Sequence, residues 1–337
     1  MFQVFSYAFN AIMPIILLIF LGYFLRRKGF FDEKFLKTGN RLLFRVVLPI
    51  LIYTSIYDVS GLGAVKWDVV LYGVCMILVL FVLGLASVLL FVKDKSARGV
   101  ILQCVFRSNF AIIGLPLTKA LGGDAGMQVT AVMVAFTIPI FNVLAVVSLS
   151  VFGKEGAPRK SVKEMLVSIA KNPLILAALL GLITLGIRAL IPLDGAGEPV
   201  FSLKKNLPFL YSALSDAADA TTFLSLVVLG GLLDFSAVRG KLGYITMGTL
   251  WRVVIAPLIG LVGAVLLSNA GVISCGPGEY ACFIALFGAP VAISSAIMAA
   301  EMDADAELAR QLVVWTSVCP IVTVFAIVVI FRSAGLL

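Results

Sequence analysis

The side chains with the greatest capacity for chemistry lie inside long apolar runs. Arg107 and Asn109 stand two residues apart in the run 99–122, and Arg252 lies one third of the way into the run 242–268. Burying a charge in such a run is costly, so the charge marks a functional site or reaches back to a polar surface. For Arg107 we keep both interpretations, attraction of an anion and snorkelling. For Arg252 we predict snorkelling.

Acidic side chains offer a second kind of chemistry. Asp216 and Asp219 are one turn apart at the start of the run 208–233, and Glu301 closes the run 279–300. They are candidates for proton or sodium coupling, and solvated helix ends explain them equally well. The chain has no histidine, which excludes imidazole relays and Ser-His-Asp catalysis. Five scattered cysteines without a CxxC pair predict no metal site. We predict no enzyme and no cofactor.

Composition assigns these side chains to a membrane. Of 337 residues, 61% are hydrophobic and 13% are charged, and the mean hydropathy is +1.11. Soluble domains are about half apolar and a quarter charged, so the lipid bilayer is the solvent that suits this chain. The net charge of +8 is explained by basic cytoplasmic loops, because no basic run is interleaved with aromatic residues as nucleic-acid binding would require.

Ten apolar runs of spanning length predict an all-α polytopic fold with about ten transmembrane helices. The runs lie at residues 7–25, 40–57, 68–92, 99–122, 127–152, 172–191, 208–233, 242–268, 279–300 and 308–331. Lys and Arg number 17 in alternate gaps and 6 in the others. This bias predicts a multi-pass membrane protein with both termini outside and the central loop in the cytoplasm.

The run order indicates an inverted repeat within a single membrane unit, 1–337. A first set of five helices, 1–152, is joined by a basic linker, 153–171, to a second set of five, 172–337. An odd number of helices in each half makes the halves antiparallel. The fourth and ninth runs both contain Gly-x-Pro, at 114–116 and 288–290, and matching interruptions of this kind point to a binding site near the membrane centre.

A helix broken at these prolines is suited to anions. Pro116 and Pro290 lack an N–H and clash with the preceding turn, and the half-helix beginning after each proline turns its positive dipole end toward the break. Ser294 and Ser295 add hydroxyl donors, and Asn109 adds an amide that both donates and accepts. Each feature also has a plainer interpretation, as a kink, a bond within the helix or a fixture between helices.

Four segments resemble the auxin efflux carrier family, within the bile/arsenite/riboflavin transporter superfamily. They are Ser-Asn-Phe-Ala-Ile-Ile-Gly-Leu-Pro at 108–116, Asn-Arg-Leu-Leu-Phe-Arg-Val-Val-Leu-Pro at 40–49, Gly-Ala-Pro-Val-Ala-Ile-Ser-Ser at 288–295 and Asp-Ala-Glu-Leu-Ala-Arg-Gln-Leu-Val at 305–313. The short linker is similar to that of the bacterial branch, which implies a location in the plasma membrane, the bacterial inner membrane in particular. The resemblance implies a five-plus-five fold in which helices four and nine cross at Pro116 and Pro290, with Asn109 at a substrate-contacting position, and it implies a homodimer.

The residues after Pro290 depart from the plant pattern, so the resemblance favours small carboxylates such as malate or malonate over auxin. The leading hypothesis is a carrier of small organic anions that works by elevator-type alternating access. The alternative is a sodium-driven symporter similar to the bile acid carriers, and a third class is a membrane receptor or intramembrane enzyme. The predicted substrate-binding residues are Arg107, Asn109, Gly114, Pro116, Pro290, Val291, Ser294 and Ser295.

Overall fold

The computed structural model describes residues 2–61, 63, 65–153, 167, 170–192, 200–233 and 241–337. Most of the predicted linker 153–171 therefore lies outside the described residues. Apart from one isolated bridge, the regular structure in the described ranges is helical. The helices are α1 (Phe2–Arg27), α2 (Glu33–Leu42), α3 (Leu48–Tyr57), α4 (Trp67–Phe91), α5 (Lys95–Phe106), α6 (Leu115–Val151), α7 (Pro173–Arg188), α8 (Leu203–Asn206), α9 (Pro208–Leu232), α10 (Leu242–Leu250), α11 (Ala256–Asn269), α12 (Pro277–Gly288), α13 (Ser294–Glu301), α14 (Ala306–Val318) and α15 (Pro320–Ser333).

Three segments with the wider π-helical turn lead directly into the helices that follow them. They are π1 (Leu43–Val47), π2 (Phe110–Gly114) and π3 (Trp251–Ile255), and each ends two residues before a proline. Proline removes a backbone donor and pushes against the carbonyl of the preceding turn. A π turn gives that ring room and lets the helix continue. Prolines 49, 116 and 257 therefore widen the helix where they occur and do not end it.

The helices form two packed groups. The support group consists of α1, α2, α3, α7 and α9, and the crossing group consists of α4, α5, α6 and α10–α15. Each group draws helices from both halves of the chain. In the support group α1 and α9 approach closely, because a Cβ at Gly22 would lie 1.9 Å from the Val227 carbonyl oxygen and one at Gly230 would lie 1.9 Å from that of Ile19. Small residues permit such contact between membrane helices.

Within the described ranges, five helical segments are long and apolar enough to cross a bilayer, and a sixth forms if the pair α14 and α15, bent by 42°, counts as one. These segments include the 42-residue stretch 110–151, which turns at Gly123, where φ is +57°. The fold is thus that of a polytopic α-helical membrane protein. The count of ten spans and the inverted repeat stay predictions.

Candidate functional site

Two extended segments cross at the centre of the crossing group. The helix begun by α5 stops at Phe106 and resumes at Phe110, and the helix begun by α12 stops at Gly288 and resumes at Ser294. Between them the backbone N–H of Asn109 donates to the Pro290 carbonyl at 2.7 Å, and that of Ala292 donates to the Arg107 carbonyl at 3.4 Å. Ser108 and Val291 form an antiparallel bridge at this point.

The first break lies at residues 107–109 and not at Pro116, where the sequence predicts it. Pro290 lies in the extended segment, as predicted, but Pro116 lies in the first turn of α6 after π2. The prediction that Pro116 marks the crossing is therefore wrong, because the π turn accommodates that proline. The chain leaves the helix instead at 107–109, where its backbone pairs with the segment around Pro290.

A cavity of about 290 Å³ lies beside the crossing, between the two helix groups. The support group contributes Phe44 of π1 and the start of α7, and the crossing group contributes both extended segments and one face of α6. Its walls are largely apolar with a few polar groups, as in small-molecule sites generally. The lining residues are Phe44, Arg107, Ser108, Asn109, Phe110, Ala111, Ile138, Phe141, Asn142, Val146, Asn172, Leu174, Ala292, Ile293, Ser294 and Met298.

Arg107 supplies the charge of this cavity and does not snorkel, since its side chain is only 4% exposed. One terminal nitrogen, Nη2, donates to Asn142 Oδ1 and to Ser294 Oγ, each at 3.0 Å. The other, Nη1, contacts Met298 Sδ and, in the amide orientation that satisfies Gln103, donates to its Oε1 at 3.0 Å. All these partners are neutral, and no described carboxylate pairs with the guanidinium.

Two further polar groups beside Arg107 lack partners among the described residues. The Asn109 Nδ2 and the Ser108 Oγ are buried and make no hydrogen bond. Both residues line the cavity. Buried polar groups in native proteins are nearly always paired, so an unpaired donor at a cavity wall indicates a place where a bound molecule completes the bonding.

Helix ends add to the positive character of the cavity. The segment π2–α6 begins after Asn109, and α13 begins at Ser294, so both amino-terminal ends lie at the cavity wall. The amino-terminal end of a helix carries a partial positive charge. One guanidinium and two helix amino termini therefore converge on one small cavity.

Three of the eight predicted site residues line the cavity, and the other five lie around it or in the helices nearby. Arg107, Asn109 and Ser294 line the cavity. Pro290 and Val291 build the crossing, and Val291 also donates its N–H to Thr316 Oγ1 at 3.1 Å. Ser295 is buried behind the cavity, where its carbonyl accepts from the Gln103 amide. Gly114 packs under the Phe110 ring, which a Cβ there would approach to 2.6 Å, and Pro116 follows it in α6.

Sequence reasoning missed several polar members of the cavity. Asn142 lies in the apolar run 127–152 just as Asn109 lies in its own run, and the same rule would have marked it. Asn172 caps α7 through a hydrogen bond from the Leu174 N–H to its Oδ1, at 3.0 Å, and lines the cavity as well. Nothing local to Met298 distinguishes it from other apolar residues.

The prediction that Arg252 snorkels to a polar surface is wrong. It is fully buried, at 0% exposure, inside the crossing group. Its Nη1 donates to the Val105 carbonyl at 3.1 Å, and its Nη2 donates to the carbonyls of Leu286, at 3.2 Å, and Phe287. It therefore joins the end of α5 to the end of α12, away from the cavity lining.

Two of the acidic candidates lie elsewhere, and the side chain of Glu301 is outside the described part of the structure. Asp216 and Asp219 are exposed on α9, and Asp219 pairs with Lys119 of α6, with 3.0 Å between Nζ and Oδ1. Neither residue lines the cavity. The described part of the chain holds no cluster of three His, Cys, Asp or Glu that suits a metal ion.

Long apolar helices around a central crossing with a charged internal cavity are typical of a multi-pass membrane transporter. A family model described as membrane transport protein matches residues 7–328. The chain belongs to this family, which is that of the auxin efflux carriers, so the predicted family is confirmed.

Two archaeal relatives are also described as transporters. An uncharacterized transporter of Methanothermobacter thermautotrophicus is 23% identical over 326 residues, which are 95% of this chain and 97% of the relative. An uncharacterized transporter of Methanocaldococcus jannaschii is 22% identical over 254 residues, which are 74% of this chain and 76% of the relative. Both names support the assignment to membrane transport and give no substrate.

Proposed function

We propose that the protein is a secondary transporter of small organic anions, mono- or dicarboxylates, which bind in the cavity beside the crossing. The observation that carries the proposal is the Arg107 guanidinium, which is buried at a cavity wall with only neutral described partners. An isolated buried charge is strongly unfavourable, and a carboxylate that binds there relieves this cost.

The neighbouring groups favour an anion over a cation. Asn109 Nδ2 is an unused donor, and Ser108 Oγ can donate as well. Two helix amino termini face the same space. A cation in this cavity would be repelled by Arg107 and by both helix ends, whereas a carboxylate would accept hydrogen bonds from all of them.

The cavity volume limits the size of the substrate. About 290 Å³ is at the lower end of the range for small-molecule sites, so a compact acid of a few carbon atoms fits better than a large amphipathic one. The apolar part of the wall, which includes Phe110, Ile138 and Phe141, suits a short hydrocarbon chain.

Contacts at the far end of the groups support alternating access of the elevator type. There the Tyr7 hydroxyl donates to the Leu121 carbonyl at 2.8 Å, and Gln128 Nε2 donates to the Asp58 carbonyl at 3.1 Å. The Lys119–Asp219 ion pair also joins the two groups. These contacts close the interface beyond the crossing, while the cavity lies at the end marked by Asn172. We propose that the crossing group moves along the support group, which opens the interface at these contacts and closes it at the cavity.

The finer layout belongs to the same proposal. It comprises ten spans in two antiparallel sets, 1–152 and 172–337, a homodimer, and a bacterial inner-membrane location with both termini outside. In that orientation the cavity rim at Asn172, next to the linker, faces the cytoplasm. Labelling of single cysteines introduced at exposed positions of a cysteine-free variant, such as Lys34 and Lys204, tests it, because the two positions should react from opposite sides.

The direct test is ligand binding and uptake by the purified protein. A thermal-shift screen of mono- and dicarboxylates, at two pH values and with or without sodium, should identify a stabilising acid. Uptake of that acid into proteoliposomes should then be saturable. Arg107→Gln should weaken binding at least about thirty-fold, because loss of one partner of a buried charge pair costs about 2 kcal/mol or more.

Arg45→Gln is the matched control, since Arg45 also lies in a helix but is exposed and outside the cavity lining. It should bind and transport like the wild type. Stabilisation by organic cations and by no anion would overturn the proposal. So would a folded Arg107→Gln variant with unchanged affinity for the acid.

A further inference from the structure

Among the backbone carbonyls that the crossing leaves without the donor of a continuous helix, three belong to Val105, Leu286 and Phe287. The Val105 carbonyl should accept from the N–H four residues on, that of Asn109, but this N–H donates to Pro290. The Leu286 carbonyl faces position 290, where proline has no N–H. The N–H that the Phe287 carbonyl should receive, from Val291, donates to Thr316.

Arg252 donates to all three of these carbonyls. Its Nη1 takes the one at the end of α5, and its Nη2 takes the two at the end of α12. The guanidinium is fully buried. One side chain therefore bonds carbonyls at the carboxyl ends of both broken helices, which lie far apart in the chain.

The charges balance at this point. Each helix carboxyl end carries a partial charge of roughly −0.5, so two such ends present about one negative charge to the one positive guanidinium. In secondary transporters with broken helices, carboxyl ends and unwound carbonyls of this kind hold the coupling cation. Here a side chain of the protein fills that place.

We propose that Arg252 is a resident cation that replaces a dissociable coupling ion at the carboxyl ends of α5 and α12, so that the protein works without sodium. The hydroxyl oxygen of Ser294, another oxygen of a type that binds sodium, supports this. Ser294 Oγ already accepts from Arg107 Nη2 at 3.0 Å, so an ion bound there would face a guanidinium. The proposal rests on the proposed function only where it concerns transport, and its first test needs no substrate.

That first test measures thermal unfolding of the purified protein. The wild type should melt at the same temperature in sodium, potassium and N-methylglucamine chloride of equal ionic strength. Arg252→Ala should melt lower, and methylguanidinium at millimolar concentration should raise its melting temperature saturably, by about 2 °C or more at tenfold excess over its dissociation constant. Arg45→Ala, the exposed control, should show neither effect.

Two results of this test would overturn the proposal. One is a sodium-specific stabilisation of the wild type, and the other is an Arg252→Ala variant that melts like the wild type. Both are independent of the anion assignment, because no organic acid is present in the measurement.

The second test measures uptake of the stabilising acid. Wild-type uptake should be equal, within twofold, in the three salts, while uptake by Arg252→Ala should depend on added methylguanidinium or sodium. A purely structural arginine would leave the variant with no such dependence on cations, and that result would contradict the proposal.

If Arg252→Ala does not fold, two milder variants decide. Arg252→Lys keeps the charge, and Arg252→Gln keeps hydrogen-bond donors without the charge. Uptake that persists without sodium in the lysine variant and falls at least tenfold in the glutamine variant supports a resident cation. Equal uptake by the two variants would overturn it.

Discussion

The two buried arginines of the crossing group differ in what surrounds them. Arg252 is held by backbone carbonyls at two negatively polarised helix ends. Arg107 is held by an amide, a hydroxyl and a thioether, and it lies beside two positively polarised helix ends. The first charge is therefore compensated within the protein, while the second has no compensation from the described side chains.

This difference separates a cation that is compensated within the protein from a cation that is available to an anion. Burial alone does not distinguish the two residues, since both are nearly inaccessible. The informative features are the charge of the hydrogen-bond partners and the presence of a cavity. A buried arginine with neutral partners at a cavity wall is a candidate for binding an anion, and one that closes helix carboxyl ends is a candidate for stabilising the fold.

The largest expected effect is on stability, and it sets the two arginines against each other. Arg252→Met should lose about 3 kcal/mol or more of unfolding free energy, because three buried carbonyls would each lose their partner at about 1–3 kcal/mol. Arg107→Met should be as stable as the wild type or more so in the absence of ligand, because it removes an uncompensated buried charge. Thermal unfolding of both variants in detergent checks this, and equal destabilisation would end the distinction.

The next largest effect concerns the unpaired amide beside Arg107. Asn109→Ala should reduce uptake about five- to tenfold, since one hydrogen bond to the anion is worth about 1–1.5 kcal/mol. Asn109→Asp should abolish uptake, because a carboxylate at this position would itself pair with Arg107. Proteoliposome uptake is the measurement and Asn10→Ala, an exposed asparagine of α1, is the control. Normal uptake by Asn109→Asp would remove this residue from the site.

The two prolines should then give unequal effects. Pro290→Ala restores an N–H that competes with Arg252 for the Leu286 carbonyl, so we expect uptake to fall roughly tenfold as α12 tends to extend through the crossing. Pro116→Ala should change uptake by no more than about threefold, because Pro116 lies within a helix that already accommodates it. Comparable losses of uptake in the two variants would show that Pro116 is as important to the crossing as Pro290.

The smallest expected effect is at the far end of the interface. Asp219→Asn removes the ion pair with Lys119. The side chain of Asp219 is 68% exposed and that of Lys119 is 45% exposed. Such a pair is worth about 1 kcal/mol or less, so the stability should change little and uptake should change by less than about fivefold. A complete loss of uptake would instead make Asp219 a coupling residue, as the sequence alone allowed.

The sequence predicted much of this arrangement and failed at definable points. Apolar runs predict helices because lipid requires internally bonded backbone, and the motif around Asn109 was enough to indicate the family. The first break was misplaced because its cause is a hydrogen bond from Asn109 to Pro290, which no local pattern encodes. Arg252 was misjudged for the same reason, since its partner Val105 is 147 residues away.

The crossing can form only late in the synthesis of the chain. The extended backbone at 107–109 finds its partners only in residues 290–292, near the end of the chain. Until α12 and α13 have entered the membrane, the first segment carries unpaired peptide groups and Arg107 lacks its contacts with Ser294 and Met298. Such groups are costly in lipid. The nascent first half is therefore incomplete and must be shielded from the lipid, and the cavity is complete only after Met298 has been added to the chain.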